Sequence, residues 1–195
     1  MLGTMRMLAA HEVQGGIVEN SGWIGIWAQC GAFYGHDWLW LGDGEKASRL
    51  LYAFANHASP LRNWREEMPR QTRPGERFPF YEGGGDMPHV SAAAEFVRLT
   101  AHLLAFDRDS ELHLLEGLPK EWLKPGAVIR LNGMRTPFGP LTMDLKVTEE
   151  GKHGRLCVQP SFARDACSRL VVHLPGGITR EISSVQAQHL SLEWK

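Results

Sequence analysis

Residues 141–148 read Leu141-Thr142-Met143-Asp144-Leu145-Lys146-Val147-Thr148, apolar at every odd position and polar at every even one. A period of two sends one set of side chains to a buried face and the other to water, which predicts a strand of an antiparallel sheet. The same alternation recurs on both sides of this stretch. Ala127, Ile129 and Leu131 alternate with Val128 and Arg130, and the pattern returns at Leu170, Val172 and Leu174 and again at Leu190, Leu192 and Trp194. Pro125-Gly126, Gly139-Pro140 and Pro175-Gly176-Gly177 punctuate these runs as turns. Short alternating strands at this spacing predict a C-terminal antiparallel β-sandwich over residues 107–195.

Upstream of Asp107 the period is helical. Trp23, Ile26, Trp27, Cys30, Tyr34, Trp38 and Leu41 recur at steps of three and four, which predicts a first helix from about Gly22 to Leu41. Gly42 supplies a stop and Asp43 an N-cap for a second helix, Gly44 to His57, with Ala47, Leu50, Leu51 and Phe54 as its buried face. So short a connection makes the two an antiparallel hairpin. After a Pro/Gly/Arg/Glu-rich loop, 58–86, a third helix is expected from about Met87 to Ala105 with Pro88 in its first turn. Its polar residues Ser91, Glu95, Arg98 and His102 form a narrow stripe, so burial around most of its circumference is expected. The fold class is therefore α+β: three helices within residues 1–106, then the sandwich. A helix covered on most sides needs partners beyond its two neighbours: the remainder of a larger helical array, the sheet module or a second copy of the chain.

The 195 residues are 43% hydrophobic and 22% charged with a net charge of -1, as in an ordinary globular protein. No basic field draws in nucleic acid or an anionic membrane surface, so neither partner is expected. No apolar run reaches membrane-spanning length, and Met1 to Gly16 lacks the apolar core of a signal peptide, so a soluble chain is expected. Cys30, Cys157 and Cys167 form no CxxC pair, which argues against a disulfide framework, and Cys30 reads as a buried thiol. His113 and His173 read as lone strand histidines; without HExxH spacing no metal is expected, and without a P-loop or GxGxxG no cofactor.

Consecutive antiparallel helices bring alternate ends together. The start of the first helix, the end of the second and the start of the third share one end, where the long segments lie. That end gathers Glu19, Asn20, Trp23, Trp64, Arg65, Glu66, Glu67, Asp86 and His89. The mixture suits a sugar: rings stack on indoles, hydroxyls bond Asp, Arg and His, and carboxylates perform acid/base work. The plainer alternative is that Glu66 and Glu67 are a solvated loop pair and Asp86 caps a helix.

At these residues the chain resembles a known group. Trp64-Arg65-Glu66-Glu67, Gly85-Asp86-Met87-Pro88-His89, the run Glu111-Leu112-His113-Leu114-Leu115-Glu116-Gly117-Leu118-Pro119 with Trp122, and Thr136-Pro137-Phe138-Gly139-Pro140-Leu141 look like the end of six-hairpin glycoside hydrolases of the alpha-L-rhamnosidase type. The resemblance covers about residues 15–150. It implies that residues 1–106 are the end of an alpha/alpha toroid and that the substrate is a carbohydrate. It also implies an inverting mechanism, with acid and base carboxylates roughly 6.5–9.5 Å apart. In that group the base is a Glu directly after a Trp; here Arg65 intervenes, so Glu67 and Glu66 are both candidates, Glu67 first. Trp64, Arg65, Asp86, His89, Glu19, Asn20 and Trp23 are the expected substrate contacts. No segment matches the one bearing the general acid, so a C-terminal piece carrying the base side and inactive alone is expected. The alternative is a non-catalytic carbohydrate-binding or structural sandwich module.

Overall fold

The computed structural model describes residues 2–10, 12–13, 17–18, 25–69, 85–163, 166–174, 177–184 and 186–194. The elements run α1 (Leu2–Ala10), β1 (Glu12–Val13), β2 (Ile17–Val18), β3 (Gly25–Trp27), α2 (Ala28–Trp40), α3 (Gly44–Asn56), β4 (Glu67–Pro69), α4 (Val90–Leu104), β5 (Ala105–Arg108), β6 (Glu111–Leu114), a single 3-10 turn (Lys120–Trp122), β7 (Val128–Thr136), β8 (Gly139–Val147), β9 (His153–Pro160), β10 (Arg169–Leu174), β11 (Ile178–Ile182) and β12 (Gln188–Glu193). The chain is mixed α+β, helices followed by a β-sandwich. It divides into two compact units, Met1–His102 and Leu103–Lys195.

In the first unit, α2 and α3 form the expected hairpin. Gly42 turns the chain at φ 84, and the Asp43 carboxylate accepts a hydrogen bond from Lys46 N at 2.9 Å, capping α3. The predicted face of α3, Ala47, Leu50, Leu51 and Phe54, is buried. The first predicted helix starts later than Gly22, at Ala28, because Gly25-Ile26-Trp27 is extended and pairs with Glu67–Pro69. Its buried face also differs: Ala28, Gly31, Ala32, Tyr34, Gly35 and Leu39 are covered, while Cys30 and Trp38 are half-buried and Leu41 is exposed. Small residues let a neighbouring helix come close. A Cβ on Gly35 would lie 3.0 Å from Leu99 Cδ2, so this position marks a close approach of α2 and α4. α1, absent from the three expected helices, sets Met5 against Tyr34 and Leu50. The Tyr34 hydroxyl donates to Glu12 at 2.6 Å, and burial together with that carboxylate pushes the phenol up to about 12.

α4 begins at Val90, after Pro88 rather than around it. Ala92, Leu99 and Leu103 are buried, but Val90 (77% exposed), Ala94 and Val97 (67% exposed) leave one face open, so the expected burial around most of the helix is not met among the described residues.

The second unit starts inside the last turn of α4, before the 106/107 boundary drawn from the change of period. Leu103 O accepts from Gly117 N at 3.0 Å, Leu104 O accepts from Leu115 N at 2.8 Å, and the Leu104 side chain joins the sandwich core. One sheet runs β11-β10-β6-β5 and the other β12-β9-β8-β7. Leu112, Leu114, Leu170, Val172 and Leu174 of the first sheet share one core with Leu141, Met143, Leu145, Val147, Leu156, Val158 and Leu192 of the second. The alternation at 141–147 is thus met residue by residue. One pairing departs from the expected antiparallel sandwich: β6 and β10 are parallel, with Leu112 opposite Leu170 and His113 opposite Val171.

Candidate functional site

In the first unit, two backbone hydrogen bonds draw the segment after α3 against the segment before α4. Glu66 N donates to Asp86 O at 2.9 Å, and His89 N donates to Trp64 O at 2.7 Å. Trp64, Glu66, Asp86 and His89 are therefore neighbours along one paired stretch. Gly85 is required there: its φ is +70, and a Cβ would meet the Glu66 Cβ at 2.5 Å. The side chain of Glu66 is half-buried against this glycine, Arg65 and His89 are half-buried, and Asp86 is exposed.

Glu67 follows at the start of β4, directly opposite Trp27 of β3. Directly opposed residues on paired strands point to the same face, with Cβ atoms about 4.5–5.5 Å apart. Glu67 is only 2% exposed, so this carboxylate is withdrawn from solvent beside an indole. Trp64 is built into the core. Its ring lies 5.0 Å from Phe54 and 5.0 Å from Phe96, it is 6% exposed, and its Nε1 donates to Phe54 O at 2.9 Å. That commits both its apolar face and its polar edge to packing. Glu19, Asn20 and Trp23 lie outside the described residues.

His36 of α2 and His102 of α4 meet edge to face at 4.9 Å. Burial, then the neighbouring His102 and Arg98, pull the His36 imidazole down to about 3. Arg98 is itself paired with Glu95 at 2.9 Å. A histidine held neutral in the fold takes up a proton on unfolding anywhere between its depressed value and the ordinary value of about 6.5. The unfolded state then binds more protons, so stability is complete above about pH 6.5 and falls as the pH is lowered into that window. We expect the urea midpoint to drop between pH 7 and pH 5, with a slope below about 1.4 kcal/mol per pH unit for this proton. His36→Leu should flatten that slope; an unchanged slope in the variant would refute the assignment.

The second unit carries a cluster that sequence spacing did not pair. The parallel register of β6 and β10 sets Glu111 opposite Arg169, and the outward-facing alternates His113 and His173 follow on the same surface. Arg169 Nε donates to Glu111 Oε1 at 2.8 Å, and its second nitrogen contacts the same oxygen. His113 Nε2 lies 3.3 Å from Glu111 Oε2, and His113 Nδ1 lies 2.9 Å from His173 Nε2. His173 Nε2 is 3.8 Å from Glu116 Oε2, which pairs with Arg108 of β5. Burial, then the facing His113 and Arg108, lowers His173 to about 4; burial followed by Arg108 lowers His113. Arg169 holds the Glu111 carboxyl below its usual range. The only signal in the sequence was local: His113 and Glu116 are three residues apart, and Arg169 and His173 share the outward parity of one strand.

A shallow concavity of about 680 Å³ over β8, β9 and β12 is lined by Asp144, Lys146, Arg155, Gln159 and His189 but by no Trp, Tyr or Phe. It offers charge without a stacking surface. The chain matches no protein-family model, and no curated protein matches it.

Proposed function

We propose that this chain acts on glycosidic bonds, carrying the general-base side of a glycoside-hydrolase site. The observation that carries the reading is the cross-strand pair Trp27–Glu67: a carboxylate withdrawn from bulk water and an aromatic ring on one face. Support also comes from the stretch beside it, where Glu66 and Asp86 are joined through the backbone and His89 is tied to Trp64. In this reading Glu67 takes the proton from the water that attacks the anomeric carbon. The C–O bond to the leaving group breaks, and a carboxylic acid on the other side of the bond protonates the departing oxygen. Asp86, His89 and Arg65 bond sugar hydroxyls. The acid comes from the rest of a toroid, so the chain alone binds but does not turn over.

Titrating the chain with L-rhamnose and with D-glucose tests this, with the indole N–H signal of Trp27 as the reporter and Trp27→Phe for its assignment. A saturable shift with one sugar, lost in Glu67→Ala, is expected, together with no hydrolysis of aryl glycosides. An indole signal unmoved by either sugar would overturn the reading. Saturable binding that survives Glu67→Ala would favour a binding module without catalysis.

A further inference from the structure

We propose that His113 Nδ1, His173 Nε2 and Glu116 Oε2 form a site for a divalent transition-metal ion of the zinc or cobalt type, on the outer face of the sheet that contains β6 and β10. The three ligand atoms lie within 4.8 Å of one another. Tetrahedral coordination with metal–ligand bonds of about 2.0–2.1 Å separates ligand atoms by about 3.3–3.4 Å. Two of the three separations, 2.9 Å between the imidazole nitrogens and 3.8 Å from His173 to Glu116, bracket that value, and the third lies within 4.8 Å, so side-chain adjustments of about an ångström suffice. Two imidazoles and one carboxylate are a zinc-type donor set with one coordination position left for solvent.

A second feature points the same way. A metal-bound histidine is normally oriented by a carboxylate on its other ring nitrogen. His113 has that partner in Glu111, which is itself fixed by two nitrogens of Arg169. With the Nε2 proton directed to Glu111, the Nδ1 lone pair faces His173 and Glu116.

Arg108 is the opposing term. Its guanidinium contacts Glu116 Oε2, so an arriving dication must share or displace it. The repulsion between a guanidinium and a dication about 5 Å away, even with water-like screening, is worth about tenfold in affinity. The site is therefore weakened by a built-in cation. Removing that cation is expected to tighten binding, an effect that surface histidines would not show.

The experiment uses the tag-free, reduced chain titrated with Co2+, followed by the visible d–d bands of the tetrahedral ion, with folding of every variant checked by circular dichroism. One equivalent is expected to bind saturably. His173→Gln and Glu116→Gln should each weaken binding at least about tenfold, and Arg108→Gln should tighten it at least about tenfold. His173 is the most exposed of the three ligands, so its variant keeps the test decisive if Glu116→Gln fails to fold. Absence of tetrahedral Co2+ bands in both the unaltered chain and Arg108→Gln would overturn the proposal. So would binding that His173→Gln leaves unchanged, or that Arg108→Gln weakens.

Discussion

Leu112→Ala is expected to destabilise the sandwich unit by about 3–5 kcal/mol, the upper part of the range for truncating a buried leucine. Leu112 is fully buried at an inner position of β6, opposite Asp107 on one side and Leu170 on the other, in the core shared by both sheets. Truncation removes the isobutyl group's branch from water-free contact, and the neighbours cannot close the gap. Leu170 and Leu114 are held by ladder pairing, and the facing sheet is three antiparallel pairings deep. With typical domain stabilities of about 5–15 kcal/mol, the variant should sit near the edge of folding at 37 °C. Val128→Ala is the comparison. It lies on edge strand β7 and is 55% exposed, so its cost should stay within about 0.5 kcal/mol. Urea unfolding followed in the β-sheet region of the circular dichroism spectrum measures both. A Leu112→Ala loss below about 1 kcal/mol would mean that the core relaxes around the site or that the register of β6 is wrong.

What could be read from the sequence followed the range over which each signal acts. Leu141, Met143, Leu145 and Val147 are buried as their alternation requires, and Asp43 caps α3 where its position before Gly44 requires it. Both signals are complete within a few residues. The large apolar residues Trp27, Cys30 and Trp38 of the helical stripe are only half-buried. The covered face of α2 is set by Ala28, Gly31, Ala32 and Gly35, where closeness to another helix matters more than apolar bulk. Trp27 belongs to a strand because Glu67–Pro69 pairs with it, a partner 40 residues away that periodicity cannot reveal. The same limit hid the His113–His173 contact. Each histidine sits alone in its own strand, and only the parallel register of β6 and β10 brings them together. Trp64 shows the converse: an indole in a segment rich in charged residues invited a sugar-stacking role, whereas two phenylalanines from different helices enclose it.

On the proposed glycosidase reading, Glu67→Gln in a catalytically competent form of the protein is expected to lower kcat by about 10²–10⁴, the range that a positioned general base contributes, while Glu66→Gln changes it by less than about tenfold. The difference rests on where the two side chains go. Successive residues of an extended segment point to opposite sides. Glu66 turns toward Gly85, where a Cβ would collide with it, and Glu67 turns inward at the strand position facing Trp27. Glutamine matches glutamate in volume and keeps its hydrogen-bonding reach, so the buried position should tolerate it and the melting temperature should hardly move. Binding should survive as well, because glutamine, unlike alanine, keeps a hydrogen-bonding group at this position to hold the sugar. A base variant therefore shows a fall in kcat with KM nearly constant, whereas a packing defect would lower stability along with activity. Azide supplied to Glu67→Gln offers a further discriminant. A small anion can take over as nucleophile where a water-activating base is missing, and the product would then be the glycosyl azide of inverted configuration. A loss of activity with Glu66→Gln and none with Glu67→Gln would transfer the role to the glutamate beside Gly85. Retention of kcat in both variants would remove this strand pair from the chemistry.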